Sequence, residues 1–395
     1  MCKTPTSLDE IRFVHIRRWG LRAVARTPQP DLKAAFGGRK VLLTGHTGFK
    51  GSWLCAWLLD LGATVAGYSV DIPTEPSHFE ALNLVDRVEH FQGDMRDKNS
   101  LRQAMDRFRP DIVFHLAAQS LVRKSYEDPV LTFATNSMGT LNLLECLRDQ
   151  PSIIASVLIT SDKCYENVEW LWGYRENDRL GGKDPYSASK ACAELITKAY
   201  MQSFFKENGP NIATTRAGNV IGGGDWASDR IIPDCVRAWS EKKPVITRNP
   251  KATRPWQHVL EPLSGYLTLG QKLFSGNSRC KNQSFNFGPL EKVNQSVGDL
   301  INEMAQYWPG AESKVQQDIE SSKSESTLLK LSCEKSYQLL QWHAVLDFSE
   351  TVRMTGEWYH AFYFKESSNT ISELTCKQIE AFTKIATRSN LAWTL

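Results

Sequence analysis

Nowhere among the nine cysteines of this 395-residue chain do two stand as a CxxC pair. Cys2, Cys55, Cys146, Cys164, Cys192, Cys235, Cys280, Cys333 and Cys376 are scattered. That pattern suits reduced thiols in a cytoplasmic enzyme better than a disulfide framework or a zinc site, and no metal is expected. No apolar run approaches the roughly eighteen residues a membrane helix needs, so neither a bilayer span nor a signal-peptide core is expected. Charge of one sign is also scarce. The 47 basic and 44 acidic residues leave +3, too little to argue for a nucleic-acid partner. No internal repeat is found. What is there, 41% hydrophobic and 23% charged, describes a globular chain long enough for a large core and two packed lobes.

Residues 1–37 read as an N-terminal extension, poorly ordered. Arg12, Arg17, Arg18, Arg22 and Arg26 come without an acid between Ile11 and Arg26, and Thr27–Pro30 reads as a linker. A targeting segment is the alternative, against which Asp9, Glu10 and the few serines count. The first core strand is Lys40–Thr44, followed by Gly45-His-Thr-Gly48-Phe-Lys-Gly51 and an apolar helix, Ser52–Leu61. Glycines at such a turn permit a tight bend, let backbone approach a pyrophosphate, and aim a helix N-terminus at the anion. A second strand ends at Asp71, about twenty residues on, where an acid takes ribose hydroxyls and disfavours a 2′-phosphate, pointing to NAD over NADP. The alternative is that Asp71 only caps its loop. Glu89–Met95 is a short strand whose Asp94 could hold an adenine edge. A helix follows from Lys98 to Phe108. Asp111–Gln119 is then a buried strand running into small residues.

Strand and helix thus alternate, which predicts a doubly wound parallel Rossmann sheet with a smaller mixed α/β substrate-binding lobe. His115 reads as a satisfied core histidine, and Asn136, on a long helix from Asp128 to Arg148, as a structural hydrogen-bonder. The strand Ala155–Ile159 delivers Ser161, Asp162 and Lys163 to a carboxyl end, where open α/β sheets place their sites. Glu166–Asp184 reads as a loop covering them. Tyr186 and Lys190 share one face of the next helix. The loop Gly218–Trp226, with Asp229 and Arg230, exceeds what a sheet connection requires. The division expected is 38–216 for the dinucleotide-binding domain and 217–395 mainly for substrate, with Val245–Thr247 and Ser284–Phe287 as strands of the smaller lobe and Glu320–Glu325 as a surface loop.

With these residues laid out, the chain resembles the extended short-chain dehydrogenase/reductase family. The shared features are Thr44–Trp53, His115–Gln119, Ser161-Asp162-Lys163, Tyr186 with Lys190, Arg216–Trp226 and Arg254–Val259. The likeness runs from about Phe36 to Trp358 and is loose beyond Val315. The resemblance implies a nucleotide-sugar 4,6-dehydratase with tightly bound NAD. Sister enzymes for dTDP-glucose or GDP-mannose carry glutamate where Lys163 stands, and that difference implies CDP-glucose, converted to CDP-4-dehydro-6-deoxyglucose. It implies that Gly45, Thr47, Gly48, Phe49, Lys50, Gly51, Asp71, Asp94, Met95, Leu116, Ala117 and Ala118 bind NAD. Gln119, Asn219, Arg230 and Arg254 would bind substrate, the arginines by forks that match phosphate oxygens. Tyr186 would be the base for the 4-hydroxyl, its phenolate favoured by Lys190 and the positive nicotinamide; Ser161 would hold the 4-oxygen, Asp162 protonate the departing C6 hydroxyl, and Lys163, in a buried site, take the C5 proton directly or through water, or stabilise the enolate. A homodimer or homotetramer paired through helices is implied. The rivals are a nucleotide-sugar epimerase, a dehydratase of another nucleotide sugar, and a non-enzymatic NAD-binding protein.

Overall fold

The computed structural model describes residues 31–290, 293–315, 328–365 and 370–394. Most of the expected N-terminal extension and the loop Glu320–Glu325 lie outside these. Residues 31–37 do not, and they correct the boundary. Asp31 caps a short helix, Leu32–Phe36, by accepting from the Ala34 N–H at 2.7 Å. Leu32 and Phe36, one turn apart on one face, are buried in the main core.

Seven parallel strands form the central sheet: β1 (Lys40–Thr44), β2 (Thr64–Ser69), β3 (Glu89–Gln92), β4 (Ile112–His115), β5 (Ala155–Ile159), β6 (Asn211–Ala217) and β7 (Gln283–Phe287). Their spatial order is β7-β6-β5-β4-β1-β2-β3. The order reverses between β1 and β4, which opens a crevice at their carboxyl ends. The main helices are α1 (Phe49–Asp60), α2 (Lys98–Phe108), α3 (Gly139–Arg148), α4 (Pro185–Ser203), α5 (Ile231–Ser240), α6 (Leu260–Phe274), α7 (Phe348–Phe364) and α8 (Ile371–Arg388). One core joins α1, α6 and α8 to the sheet, through Trp53, Trp57, Leu263, Leu267 and Phe382. A second joins α2, α3 and α4 through Leu101, Met105, Leu143 and Met201. Both faces are therefore covered, which is why β4 and β5 are buried throughout. Each large side chain so buried contributes roughly 1.5–3 kcal/mol.

Two expectations change. The strand expected at Ser284–Phe287 in the smaller lobe is instead β7, the sheet edge, paired in parallel with β6. Phe285 and Phe287 alternate into the main core, so the strand is held by the sheet. The stretch after residue 216 is thus shared between the sheet and a smaller unit of short ladders: 220–221 with 257–258, 253–254 with 295–296, and 245–247 with 313–315. The helix expected from Asp128 to Arg148 contains a π-helical turn at Ala134–Met138, a feature common beside functional sites. Asn136, in that turn, donates to Gln119 O and Ser189 Oγ, both at 2.9 Å.

Candidate active site

The turn after β1 is built on backbone contact. Gly45 has φ +75°, and a Cβ there would lie 2.6 Å from the Ala117 nitrogen, so only glycine lets this turn touch the one after β4. At Gly51 a Cβ would lie 2.2 Å from Gly45 O. Gly48 caps α1 without a side-chain hydrogen bond, leaving the first N–H groups of α1 free of side-chain partners. Thr47 Oγ1 donates to Asp71 O at 2.7 Å, tying the turn to the end of β2. Leu116 and Ala117 N–H donate to Thr44 O and Oγ1 at 3.0 and 3.2 Å, with Ala118 next. Phe49 is half-buried against Gly222. This cradle, with an exposed acid at Asp71, has the donors and the clearance that a dinucleotide pyrophosphate and its ribose require.

Beneath it, His46 is fully buried. Its ring contacts Ser69 Oγ at 2.9 Å and His90 Nδ1 at 2.8 Å, and burial pushes it down to about 3. Gly67 makes the room, since a Cβ there would overlap the ring. Met95 is buried against Gly139. Asp94, expected at an adenine edge, is instead engaged by the Arg96 guanidinium at 2.6 and 2.9 Å, because Arg96 lies within reach on the same turn.

The chemical groups come together after β5. Ser161 Oγ donates to Asp162 Oδ1 at 2.9 Å and accepts from the Lys163 N–H at 3.2 Å, so it caps the tight turn Asp162–Cys164. Asp162 points inward and is buried; a Cβ at Gly218 would lie 1.8 Å from its Oδ2. Lys163, expected in a buried site, is exposed, because successive residues of so tight a turn face opposite ways. Asp184 caps α4 by accepting from the Ser187 N–H at 2.9 Å, with Pro185 as the first helical residue, and this fixes Tyr186 at the helix entrance. Burial pushes the Tyr186 phenol up to about 12; the nearby Ser161 hydroxyl opposes the rise, Asp162 adds to it, and Arg230 opposes it. Arg230, from outside α4, thus favours the ionised phenol. Lys190 Nζ lies 3.5 Å from Ile159 O, and burial lowers its amine to about 8 while Cys164 and Glu194 oppose.

Arg230 pairs with buried Asp225 at 2.8 Å and reaches Ser120 Oγ at 3.5 Å. Lys50, expected at the cofactor turn, extends further, its amine 6.0 Å from the Tyr266 ring centre. Burial lowers that amine to about 8, with Arg230 adding, Asp162 opposing and Lys190 adding. Asn219 has φ +53° and lines a narrow cleft with Asp162, Gly218, Gln257 and Leu331. Arg254 lies in its short ladder, donating to Thr253 O at 2.9 Å, next to Pro255, which lines the same cleft. Gln119, expected against substrate, turns onto its own loop: Nε2 donates to Leu121 O and Thr132 Oγ1, both at 3.0 Å, while Oε1 accepts from Leu121 N at 2.6 Å. His115 is satisfied by Thr44 and Thr140, at 2.7 and 3.1 Å.

Sequence reasoning missed what braces this centre. Arg216 grips Glu194 with two bonds, at 2.9 and 2.8 Å, both side chains buried. Glu194 also accepts from Thr160 Oγ1 at 2.6 Å, and Arg216 donates to Tyr165 Oη at 2.7 Å. Against the cost of burial, Arg216 holds the Glu194 carboxyl below its ordinary range. Glu194 lies one helical turn beyond Lys190, the only sequence signal for it. Among the described residues no helix is long and apolar enough to cross a membrane, and no cluster of three His, Cys, Asp or Glu could hold a metal ion.

A Rossmann sheet with a glycine turn, a buried carboxyl beside a phenol, and an amine on the same helix face defines a nucleotide-dependent short-chain dehydrogenase-type site. Residues 42–355 match the model of the GDP-mannose 4,6 dehydratase family, and the chain belongs to that family. CDP-glucose 4,6-dehydratase from Salmonella typhimurium is 48% identical over 330 residues, covering 82% of this chain and 91% of that protein. Among solved structures, Thermus thermophilus UDP-glucose 4-epimerase in complex with NAD is 27% identical with TM-score 0.69, covering 81% of this chain and 98% of that one. Bacillus anthracis dTDP-glucose 4,6-dehydratase in complex with NAD shares the fold at TM-score 0.67, with 19% identity over 82% of this chain and 96% of that one.

Proposed function

We propose that this protein converts CDP-glucose to CDP-4-dehydro-6-deoxyglucose and water. The observation that carries the reading is the Ser161-Asp162-Lys163 turn, its acid buried and bonded to Ser161 beside Tyr186. An epimerase needs only redox at C4 and has no use for a second acid–base pair, and the 48%-identical relative is a CDP-glucose 4,6-dehydratase. NAD, for which the glycine cradle and Asp71 fit, supplies a reversible acceptor for the C4 hydride.

The chain's residues do the rest. Tyr186 removes the 4-hydroxyl proton, and Arg230 is the cation facing the phenolate so formed. A ketone at C4 acidifies C5, whose proton goes to Lys163 at the open rim of the turn. Asp162, inside the same turn, protonates the C6 oxygen as it leaves, in a place where few waters compete for the proton. Asn219, lining the cleft with Asp162, and Arg254 bind the sugar diphosphate, while Lys190 and Lys50 supply positive charge between the two ligands. The protein works as a homodimer paired through α4 and the 129–148 helical run. Val130, Met138 and Leu195 lie 77%, 50% and 54% exposed there, more apolar surface than a lone helix face has reason to show. Mass spectra of reactions with CDP-, dTDP-, UDP- and GDP-glucose test the reading. Loss of one water from CDP-glucose alone is expected, and an unchanged mass from every sugar would refute it.

A further inference from the structure

The proposed elimination needs Asp162 and Lys163, two groups of one short turn, held against one sugar, and the inference drawn here rests on that reading. The turn Asp162–Cys164 is only three residues long. Its own hydrogen bonds are long, with the Cys164 N–H on Ser161 O at 3.2 Å and the Tyr165 N–H on Asp162 O at 3.3 Å. It must be held from outside.

What holds it is the buried pair of Glu194 and Arg216. On the strand side, Thr160 Oγ1 donates to Glu194 Oε1 at 2.6 Å. On the far side, Tyr165 Oη accepts from Arg216 Nη1 at 2.7 Å and donates to Asn286 Oδ1 at 2.8 Å. Each end of the Ser161–Cys164 stretch is thus gripped by one member of the same ion pair. That pair has little freedom of its own. Glu194 Oε1 accepts from Thr160 and from Arg216 Nε at 2.9 Å, and Oε2 accepts from Thr214 Oγ1 at 2.9 Å and from Arg216 Nη2 at 2.8 Å. These fill the carboxylate's acceptor sites, and a guanidinium is a rigid plane, so the two grips are fixed relative to each other.

Tyr186 is held by other means. Ser189 Oγ donates to Tyr186 O at 2.7 Å, and Asn136 Nδ2 and Ser137 Oγ donate to Ser189 Oγ and O at 2.9 and 3.1 Å. The first turns of α4 are therefore tied to the π-helical turn without the ion pair. We propose that Glu194 and Arg216 are positioning residues for the elimination and not for the oxidation. They clamp the turn from both ends so that Asp162 meets the C6 oxygen and Lys163 the C5 proton, while Tyr186 works without them.

The test separates the two half-reactions in Arg216→Lys holoenzyme, which keeps the charge but lacks the fork that spans Glu194 and Tyr165. On mixing with CDP-glucose, NADH absorbance should appear within about 3-fold of the parental rate, while water loss in rapid-quench mass spectra slows ~10²-fold. Hydrogen exchange at the Cys164 and Tyr165 amides should quicken by about 10-fold or more, with parental rates in the first turns of α4. Thr160→Val removes one grip and leaves Glu194 its bonds to Thr214 and Arg216; water loss should slow ~10-fold with NADH formation unchanged, and Thr160→Ser should restore it. NADH formation and water loss slowed equally, as general loosening of the core would cause, overturn the clamp; so does parental water loss in Arg216→Lys. Should Arg216→Lys not fold, Thr160→Val decides by the same two rates. A parent that loses no water from CDP-glucose refutes the reaction itself, a separate failure, and the exchange rates then still test the clamp: exchange that quickens in neither segment, or equally in both, overturns it.

Discussion

At the scale of single residues, the roles divide between two barriers. In the proposed reaction Tyr186 acts before any other step and Lys163 only at the elimination. Lys163→Met should therefore still generate NADH absorbance on mixing with CDP-glucose, then stall, with solvent deuterium failing to enter C5. Tyr186→Phe should block both steps, at a cost of ~10²- to 10⁴-fold. Absence of NADH in Lys163→Met, or C5 exchange at the parental rate, would take the base role from Lys163. Gly218→Ala tests the acid in the same way. Its Cβ would stand 1.8 Å from Asp162 Oδ2, so the carboxyl must swing off Ser161. Elimination should fall by ~10²-fold or more while NADH still forms; parental turnover would show that the Asp162 position is not critical. The proposed catalytic residues could be picked out because their types and spacing carry chemistry. Their partners could not. That Arg230 acts on Tyr186, and that Lys50 is influenced by Arg230 and Asp162, depends on which way long side chains run once the loop after β6 has folded over the turn after β1. The partners of Gln119 and Asp94 were hidden for the same reason, although each lies two residues away.

At the scale of elements, the glycine turn, the strand into Ser161 and α4 could be read from the sequence because local rules decide them: glycine at positive φ, an apolar strand, Asp and Pro at a helix start. β7 could not, since Gln283–Phe287 is a short run whose sheet is chosen by tertiary packing. α6 hides another non-local feature. Glu261 is fully buried, its Oε1 accepting from the Val345 and Leu346 N–H groups at 2.8 and 2.7 Å, with no hydrogen-bond partner at Oε2. Burial pushes its carboxyl up from 4.5 to about 8 against those two bonds. Folding therefore favours the protonated form, and the stability it confers is complete below about 4.5 and lost as pH rises through about 8. Glu261→Gln keeps the acceptor oxygen and cannot ionise. Its melting temperature should exceed the parent's at pH 8, by on the order of a few kcal/mol of stability, and the gap should close toward pH 4.5. Equal pH dependence in the two proteins, read from thermal melts, would contradict the assignment.

At the scale of the whole molecule, the sheet, its switch point between β1 and β4, and the placement of the chemistry at the strands' carboxyl ends followed from strand–helix alternation. How residues after 216 are shared between the sheet and the smaller unit did not, because the chain leaves the sheet and returns to it, which no composition change marks. The proposed pairing through α4 can be checked directly. Leu195→Glu puts a charge on the exposed apolar face and should convert a dimer to monomer in light scattering, since an unpaired charge in an interface costs several kcal/mol. An unchanged mass would place the interface elsewhere.

The central claim is that oxidation at C4, loss of water and reduction at C6 occur within one site with no external reductant. CDP-glucose carrying deuterium at C4 tests it in a single spectrum. The product should have lost one water and carry the deuterium at C6, with no added NADH consumed. A product of unchanged mass with the label still at C4, or a dehydrated product whose C6 holds no deuterium, would contradict it.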